Sequence, residues 1–216
     1  MNFLELCKRL RQEAGYSGSG PSTVTGQSGE AKRVVDWVND SWVDIQKMRS
    51  DWRFMLAPFE VTLDLGESIK IIASDFGSIK KGSVILTRAT GAKSYPEELT
   101  SEAMRMIQRE NDDIPSYPLY FSVDNDGLMT VFPSCAESIV ISGDYHKKPE
   151  RMTANTDIPI LPEQYHMAIV WLGLMSAGAY DESGNSYQRG NAKFTEYLSD
   201  INRTELPVIK AARPLA

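Results

Sequence analysis

The stretch MAIVWLGLMSAGA, residues 167–179, decides the fold. It is apolar on nearly every side of a helix, and at 13 residues it is too short to span a bilayer. A helix without a polar face is normally buried by neighbouring elements. Pro162 suits the first turn of such a helix, with Glu163 beside it. The sequence therefore predicts a buried helix over 163–179 that needs other helices around it.

Three helices are predicted as its neighbours, two near the N-terminus and one that follows it. Residues 2–14 have apolar side chains at i, i+3, i+4 and i+7, with Asn2 as the N-cap and Gly15 as the stop. A last amphipathic helix is predicted over 186–203. A longer helix is predicted over 29–52, after Ser28, and its apolar stripe is Val35, Val38, Trp42, Ile45 and Trp52.

A second flank of the 29–52 helix carries Trp37, Ser41 and Met48. A helix with a tryptophan on each of two flanks needs two neighbours, in its own fold or in a partner subunit. We therefore regard these three residues as candidates for a subunit interface.

The middle of the chain has the pattern of a mostly antiparallel β region. Strands are predicted over 59–65, 67–72, 83–88 and 138–148, and a short helix over 99–109. A hairpin is predicted from Tyr120–Val123 and Leu128–Phe132, with its turn at Asn125-Asp126-Gly127. The expected fold is α+β, with a helical bundle from the terminal helices. Its domains are a helical domain (1–57 and 159–205), a β-rich insertion (58–158) and an extended C-terminal tail (206–216).

The glycine-rich stretch GYSGSGPSTVTGQSG, residues 15–29, joins the first two helices. A phosphate-binding loop would need a preceding buried strand and a Lys-Ser/Thr pair after its last glycine. Here a helix precedes the loop, and Glu30-Ala31-Lys32 follows it. We interpret the stretch as a mobile tether between two helices.

The composition disfavours several classes of function. A formal charge of −6 argues against a nucleic-acid-binding surface and against docking on anionic membranes. It is compatible with a protein that DNA slides past. Cys7 and Cys135 are too few for a disulfide framework or a four-cysteine zinc site. The N-terminus mixes both charge signs and lacks a long apolar stretch, so a soluble intracellular protein without a signal peptide is expected.

No motif in the sequence indicates an enzyme. Only two histidines are present, His146 at the end of a predicted strand and His166 at the start of the apolar helix, and there is no G-x-S-x-G elbow. Residues 124–127 resemble the start of a calcium loop, but Cys135 stands where its twelfth-position glutamate is needed. We expect no catalytic residue, metal or cofactor. Four tryptophans, nine tyrosines and nine methionines favour protein–protein contact, although a monomer core could also hold them.

The order of these features resembles that of the head-to-tail adaptor proteins of tailed bacteriophages. The resemblance covers most of the chain and is weakest over 66–115. It rests on FLELCKRLRQEAG (3–15), EAKRVVDWVNDSWVDIQKMRSDWRFM (30–55), YHKKPERMTANTDIPILPEQYHMAIVWLGLMSAGAYDE (145–182) and the final helix.

This resemblance implies a non-enzymatic structural protein of the virion neck, made in the host cytoplasm. Adaptors of this kind form a ring, commonly twelve-fold, between the portal and a downstream tail or nozzle protein. The viral genome passes through the ring channel during ejection without specific binding, and no membrane is involved. The C-terminal segment of such adaptors often reaches the portal. By position, the portal-docking residues here are Leu206, Pro207, Val208, Ile209, Pro214 and Leu215.

Two alternatives remain open from the sequence. A tail-completion or terminator ring of the same neck would bind the tail tube instead of the portal. A small hydrolase or ligand-binding protein would use the β region as its pocket.

Overall fold

The computed structural model describes residues 1–18 and 20–207, and in this part of the chain it contains five α-helices and nine β-strands. The class is α+β, as the sequence predicts. The chain divides into two compact units. One consists of Met1–Met55 and the residues from Pro149 onwards, and the other is Leu56–Lys148.

The helices, numbered in chain order, lie close to their predicted positions. Their bounds are α1 Phe3–Ala14, α2 Gly29–Lys47, α3 Ser101–Glu110, α4 His166–Tyr180 and α5 Gly184–Glu205. The capping prediction for α1 is confirmed: the Asn2 side chain accepts from the Glu5 amide at 2.9 Å, and Gly15 ends the helix with φ +76°. Ser28 is the N-cap residue of α2, but its side chain makes no capping hydrogen bond.

The predicted end of α2 was wrong. The helix ends at Lys47, five residues before Trp52. Trp52 is nevertheless fully buried, because the chain turns back after α2 and the indole packs on Phe54 with ring centroids 5.4 Å apart. Trp52 therefore has the spacing of the apolar stripe and is buried with it, although it lies outside the helix.

Helix α4 is the centre of the helical unit, and α1, α2 and α5 pack around it. Ala168, Ile169, Val170 and Leu174 are fully buried, and a buried aliphatic side chain of the size of valine or leucine contributes about 1.5–3 kcal/mol. Gly178 lets α5 approach closely, since a Cβ on this glycine would lie 2.6 Å from the Tyr187 amide nitrogen. The all-round apolar pattern of residues 167–179 is therefore explained by burial against three helices.

The glycine-rich stretch is held against the helical unit. Val24 is buried in its core, and the Asn155 Oδ1 accepts hydrogen bonds from the Val24 amide (2.7 Å) and from Thr23 Oγ1 (3.2 Å). The interpretation of a mobile tether was therefore wrong for residues 23–24. The anchor lies more than a hundred positions away in the sequence, so the composition of the stretch did not reveal it.

The segment 149–158 also packs on the helices, although the sequence analysis placed it in the insertion. Gln46 of α2 donates to the Glu150 carbonyl at 2.9 Å, and the Asn39 side chain donates to the Met152 carbonyl at 2.9 Å. The Phe3 amide donates to the Asp157 carbonyl at 2.8 Å. These contacts explain why the helical unit resumes at Pro149.

The second unit contains all nine strands and α3. The strand bounds are β1 Leu56–Leu63, β2 Ile69–Ile71, β3 Phe76–Ile79, β4 Ile85–Arg88, β5 Lys93–Ser94, β6 Glu97–Glu98, β7 Tyr120–Val123, β8 Leu128–Phe132 and β9 Ile139–Lys147. The β7–β8 hairpin is confirmed, with Gly127 at φ +78° in its turn. The short strands β3, β5 and β6 were not predicted.

The strands form two sheets. In the first, the order is β1-β9-β4-β5, and β3 also pairs with β9. In the second, the order is β2-β8-β7-β6, where β6 runs parallel to β7 and the other pairs are antiparallel. The unit has its own apolar core, which includes Phe59, Leu63, Met129, Ile139 and Ile141.

Candidate assembly surfaces

The three interface candidates on α2 lie in different environments. The Trp37 ring is partly exposed and lies 5.8 Å from the Tyr180 ring at the end of α4. Ser41 is only 2% exposed, and a Cβ at Gly173 of α4 would lie 3.5 Å from its Oγ. Met48 follows α2 and is 38% exposed. Trp37 and Met48 thus present surface that a partner subunit can contact, whereas Ser41 lies inside its own subunit.

The Trp37 surface is part of a larger aromatic cluster. The Arg33 guanidinium lies over the Tyr180 ring, 4.5 Å from its centroid, and Tyr180 is 56% exposed. The Tyr16 hydroxyl donates to the Asp181 carboxylate. Burial, and then the hydrogen bond to Asp181, raise the pKa of Tyr16 well above its usual value. The sequence analysis missed this cluster because its members come from three separate segments.

The start of the predicted tail is anchored on the helical unit. Arg53 Nη1 donates to the Thr204 carbonyl at 3.3 Å, and Thr204 Oγ1 lies 2.9 Å from the Tyr165 hydroxyl. Leu206 is partly buried and packs against the helical core, whereas Pro207 is exposed. The other tail residues named from the sequence, Val208, Ile209, Pro214 and Leu215, lie outside the described residues.

The two histidines belong to different units. His146 lies on β9, and His166 is the first residue of α4 and is 2% exposed. His166 Nε2 lies 2.8 Å from the Leu161 carbonyl, and its Nδ1 lies 2.8 Å from the N-terminal nitrogen of Met1. Burial lowers the pKa of His166. Both ring nitrogens therefore have a partner within the helical unit, as expected for a buried structural histidine.

Both cysteines are free and fully buried. Burial raises the pKa of Cys7 to about 12 and that of Cys135 to about 11. Because the thiolate is the reactive form, neither thiol is activated at neutral pH. Within residues 1–18 and 20–207, no three His, Cys, Asp or Glu side chains are grouped to hold a metal ion.

A shallow groove of about 570 Å³ lies on the first sheet of the β unit. Its polar lining is Glu60, Ser83, Ser142 and Asp144, without a histidine or cysteine. Asp144 is paired with Lys80 at 3.0 Å, and its backbone bonds to Ser83. The Ser83 hydroxyl donates to the backbone carbonyls of Lys80 and Asp144, at 2.7 and 3.1 Å.

Charge is unevenly divided between the units. Residues 56–148 carry 14 Asp and Glu against 9 Lys and Arg, so most of the net charge of −6 lies in the β unit. An acidic surface repels the phosphates of nucleic acids.

The SU10 adaptor protein family model matches residues 1–214, which is nearly the whole sequence. The chain belongs to the SU10 adaptor protein family. This is a family of structural bacteriophage adaptor proteins, and the adaptor described here is accordingly a component of the virion neck. A search of curated proteins finds no match to the adaptor sequence. None of the adaptor's helices, in the part of the chain that the structure describes, combines the length and apolarity needed to cross a membrane.

Proposed function

We propose that this adaptor forms a ring between the portal and the tail, through whose channel the viral genome passes during ejection, and that it catalyses no reaction. The observation that carries the proposal is the family match over residues 1–214. The ring is twelve-fold, in keeping with the head-to-tail adaptors that the sequence resembles. Each subunit is made in the host cytoplasm and ends in the virion neck.

Subunit contacts in such a ring are heterologous, so each subunit presents two different surfaces to its neighbours. Trp37, Tyr180 and Met48 give the helical unit exposed apolar and aromatic surface. Aromatic and methionine side chains are enriched in protein interfaces. We assign one neighbour contact to this surface.

The tail from Leu206 onwards is the portal-docking arm. Its first residue packs on the helical core, and Arg53 and Tyr165 bind Thr204 just before it. The arm therefore leaves each subunit from a fixed point. The sequence beyond, VIKAARPLA, offers apolar side chains and two cations to a partner.

Electron microscopy of the purified adaptor, alone and mixed with portal rings of the same phage, tests this function. We expect rings stacked on the portal. Removal of residues 208–216 tests the arm and keeps the packing of Leu206, so this variant is expected to fold normally and to lose portal binding. An Ile158→Ala variant is the control: this apolar side chain is 65% exposed on the helical unit and lies outside the arm, so the variant is expected to fold and still to dock.

Two results would overturn these proposals separately. Normal portal stacking by the truncated chain would exclude the docking arm while leaving the ring intact. Bare portals beside free adaptor, with rings on isolated tail tubes instead, would identify a tail-completion protein.

A further inference from the structure

A groove of about 390 Å³ lies along one flank of α5 in the helical unit, and we call it the α5 groove. Two tyrosines and four polar side chains line it: Gln164, Tyr165, Lys193, Glu196, Tyr197 and Asp200. Tyr165 is 7% exposed and belongs to the helical core as well. The α5 groove thus combines aromatic surface with charged groups.

The chain leaves α5 at one end of this groove. Lys193, Tyr197 and Asp200 stand at i, i+4 and i+7, so they lie on one face of the helix. Thr204 is the next position of the same stripe, one residue before the helix ends. Its Oγ1 lies 2.9 Å from the hydroxyl of Tyr165, which is itself a groove residue. The portal-docking arm therefore starts beside the α5 groove.

The arm is long enough to cover the whole groove. From Thr204 back to Lys193, α5 rises about 17 Å, at 1.5 Å per residue. Residues 208–216, which lie outside the described residues, span up to about 30 Å when extended. A reversal of the chain after Leu206 thus leaves enough residues to reach the far end of the groove.

The chemistry of the arm complements that of the groove. The arm sequence VIKAARPLA has two cations, Lys210 and Arg213, and no acidic side chain. The groove lining has two carboxylates and one ammonium, so negative charge is in excess there. Tyrosine rings bind both cations and apolar side chains. Each type of side chain in the arm therefore has a suitable partner in the groove.

Both groove carboxylates can accept a further cation. Lys193 binds Oε2 of Glu196 at 2.9 Å, and Arg203 binds Oδ1 of Asp200 at 2.8 Å. A carboxylate has two oxygens with several acceptor positions, so a second cation can bind beside the first. These two pairs join exposed side chains of one helix, and such pairs contribute little to stability. They therefore do not exclude the arm from the groove.

We propose that residues 208–216 of each free subunit lie in the α5 groove of the same subunit and leave it when the portal binds. The groove of the same subunit is favoured over that of a second copy, because the short connection from Thr204 gives a high effective concentration. The inference rests on the proposed docking arm and adds the place where that arm is held before assembly. The groove is then a storage site that the portal must empty.

Disulfide trapping in the full-length adaptor tests this position of the arm. Lys193→Cys is combined with Ala211→Cys and, in a second variant, with Ala212→Cys, because successive side chains of an extended segment point to opposite sides. Ser199→Cys with the same arm cysteines is the matched control. Ser199 is exposed on another face of α5 and lies nearer in the chain to the arm than Lys193 does.

One of the two Lys193→Cys pairs is expected to close within the monomer at least about tenfold faster than the matching Ser199→Cys pair, since a docked arm holds the thiols within disulfide reach. The native Cys7 and Cys135 are fully buried and can be kept. Equal rates for groove and control pairs would overturn the proposal. Covalent dimers that form from mixed single variants faster than the monomer closes would also overturn it, by identifying the arm of a second copy as the occupant.

A second experiment measures the affinity for portal rings. Glu196→Gln combined with Asp200→Asn is expected to bind the portal at least about threefold more tightly than the wild type, because less of the arm is held in the groove. Asp36→Asn combined with Asp40→Asn is the control, since it removes the same charge from two paired carboxylates of α2. Equal affinities of the two double variants would contradict the storage site.

The outcome is separable from that of the proposed function. Suppose that the chain without residues 208–216 still binds the portal while the Lys193→Cys pair closes rapidly in the full chain. The groove would then hold this segment, but the segment would not be the docking arm. Loss of portal binding on truncation, together with equal closure rates, would keep the docking arm and remove the α5 groove as its storage site.

Discussion

The indole Nε1 of Trp52 donates a hydrogen bond of 2.9 Å to the carbonyl oxygen of Ile45 in the last turn of α2. The last carbonyls of a helix have no partner within the helix. Trp52 therefore supplies a partner at the C-terminal end of α2 and is fully buried as it does so.

Replacement of Trp52 by phenylalanine is expected to lower the free energy of unfolding by about 2 kcal/mol or more, since it removes the bond and leaves a cavity. Urea denaturation followed by circular dichroism measures this loss. Trp37→Phe is the control, and a change below about 1 kcal/mol is expected there because the ring is partly exposed. Equal losses of unfolding free energy in the two variants would show that the Trp52 hydrogen bond and its burial make no special contribution to stability.

Helices α4 and α5 depend on Gly178 for their close contact. Alanine at this position would bring its Cβ to 2.6 Å from the backbone nitrogen of Tyr187, so one helix must shift. We expect Gly178→Ala to destabilise the protein by about 1–3 kcal/mol. Gly184→Ala, with nothing within 4 Å of its new Cβ, is expected to be neutral or slightly stabilising. Thermal unfolding of both variants checks the contrast.

Asn155 holds the glycine-rich stretch through Val24 and Thr23. We expect Asn155→Ala to speed hydrogen–deuterium exchange of the peptide 20–28 by about tenfold, since a lost hydrogen bond lowers the cost of local opening. Asn185→Ala, at an exposed position of α5, should leave this peptide unchanged. Unchanged exchange in the Asn155 variant would show that the burial of Val24 alone fixes the stretch.

Stability is expected to decrease in mild acid because of His166. Burial depresses the pKa of this histidine in the folded state, so the unfolded chain takes up the proton first as the pH falls. Its contribution is fully present above the unfolded pKa of about 6.5 and is lost as the pH falls through the folded pKa. Protonation would also face the N-terminal ammonium, 2.8 Å from Nδ1.

Urea denaturation of the wild type and of His166→Gln between pH 4.5 and 8 measures this dependence. The wild type is expected to lose stability more steeply than the variant below about pH 6.5. Parallel curves over the whole range would exclude His166 as the source.

Local signals in the sequence were sufficient for several elements. The Asn2 and Gly15 caps define α1, and Asp126-Gly127 defines the β7–β8 turn, because each acts on its immediate neighbours. The apolar run of α4 predicts a buried helix even when the neighbouring elements are not known. These features depend on few residues, so a single sequence reveals them.

The features that the sequence analysis missed depend on contacts between residues that are distant in the sequence. Trp52 has helical spacing but packs after a turn, and β6 consists of two glutamates that no strand propensity favours. Ser41 is buried where α2 lies beside Gly173 of α4. For the candidate interface, side-chain spacing identified the second flank of α2. Only the packing of α2 against α4 shows that Ser41, in the middle of this flank, is inaccessible to a partner.

The pairing of Leu56 with His146 has a further consequence. The first residue of β1 lies opposite the next-to-last residue of β9, so the chain enters and leaves the β unit on adjacent strands. A short loop is therefore long enough to bridge these ends. The β unit is thus attached through two neighbouring chain ends, and its removal would require only a short connection between Met55 and Pro149.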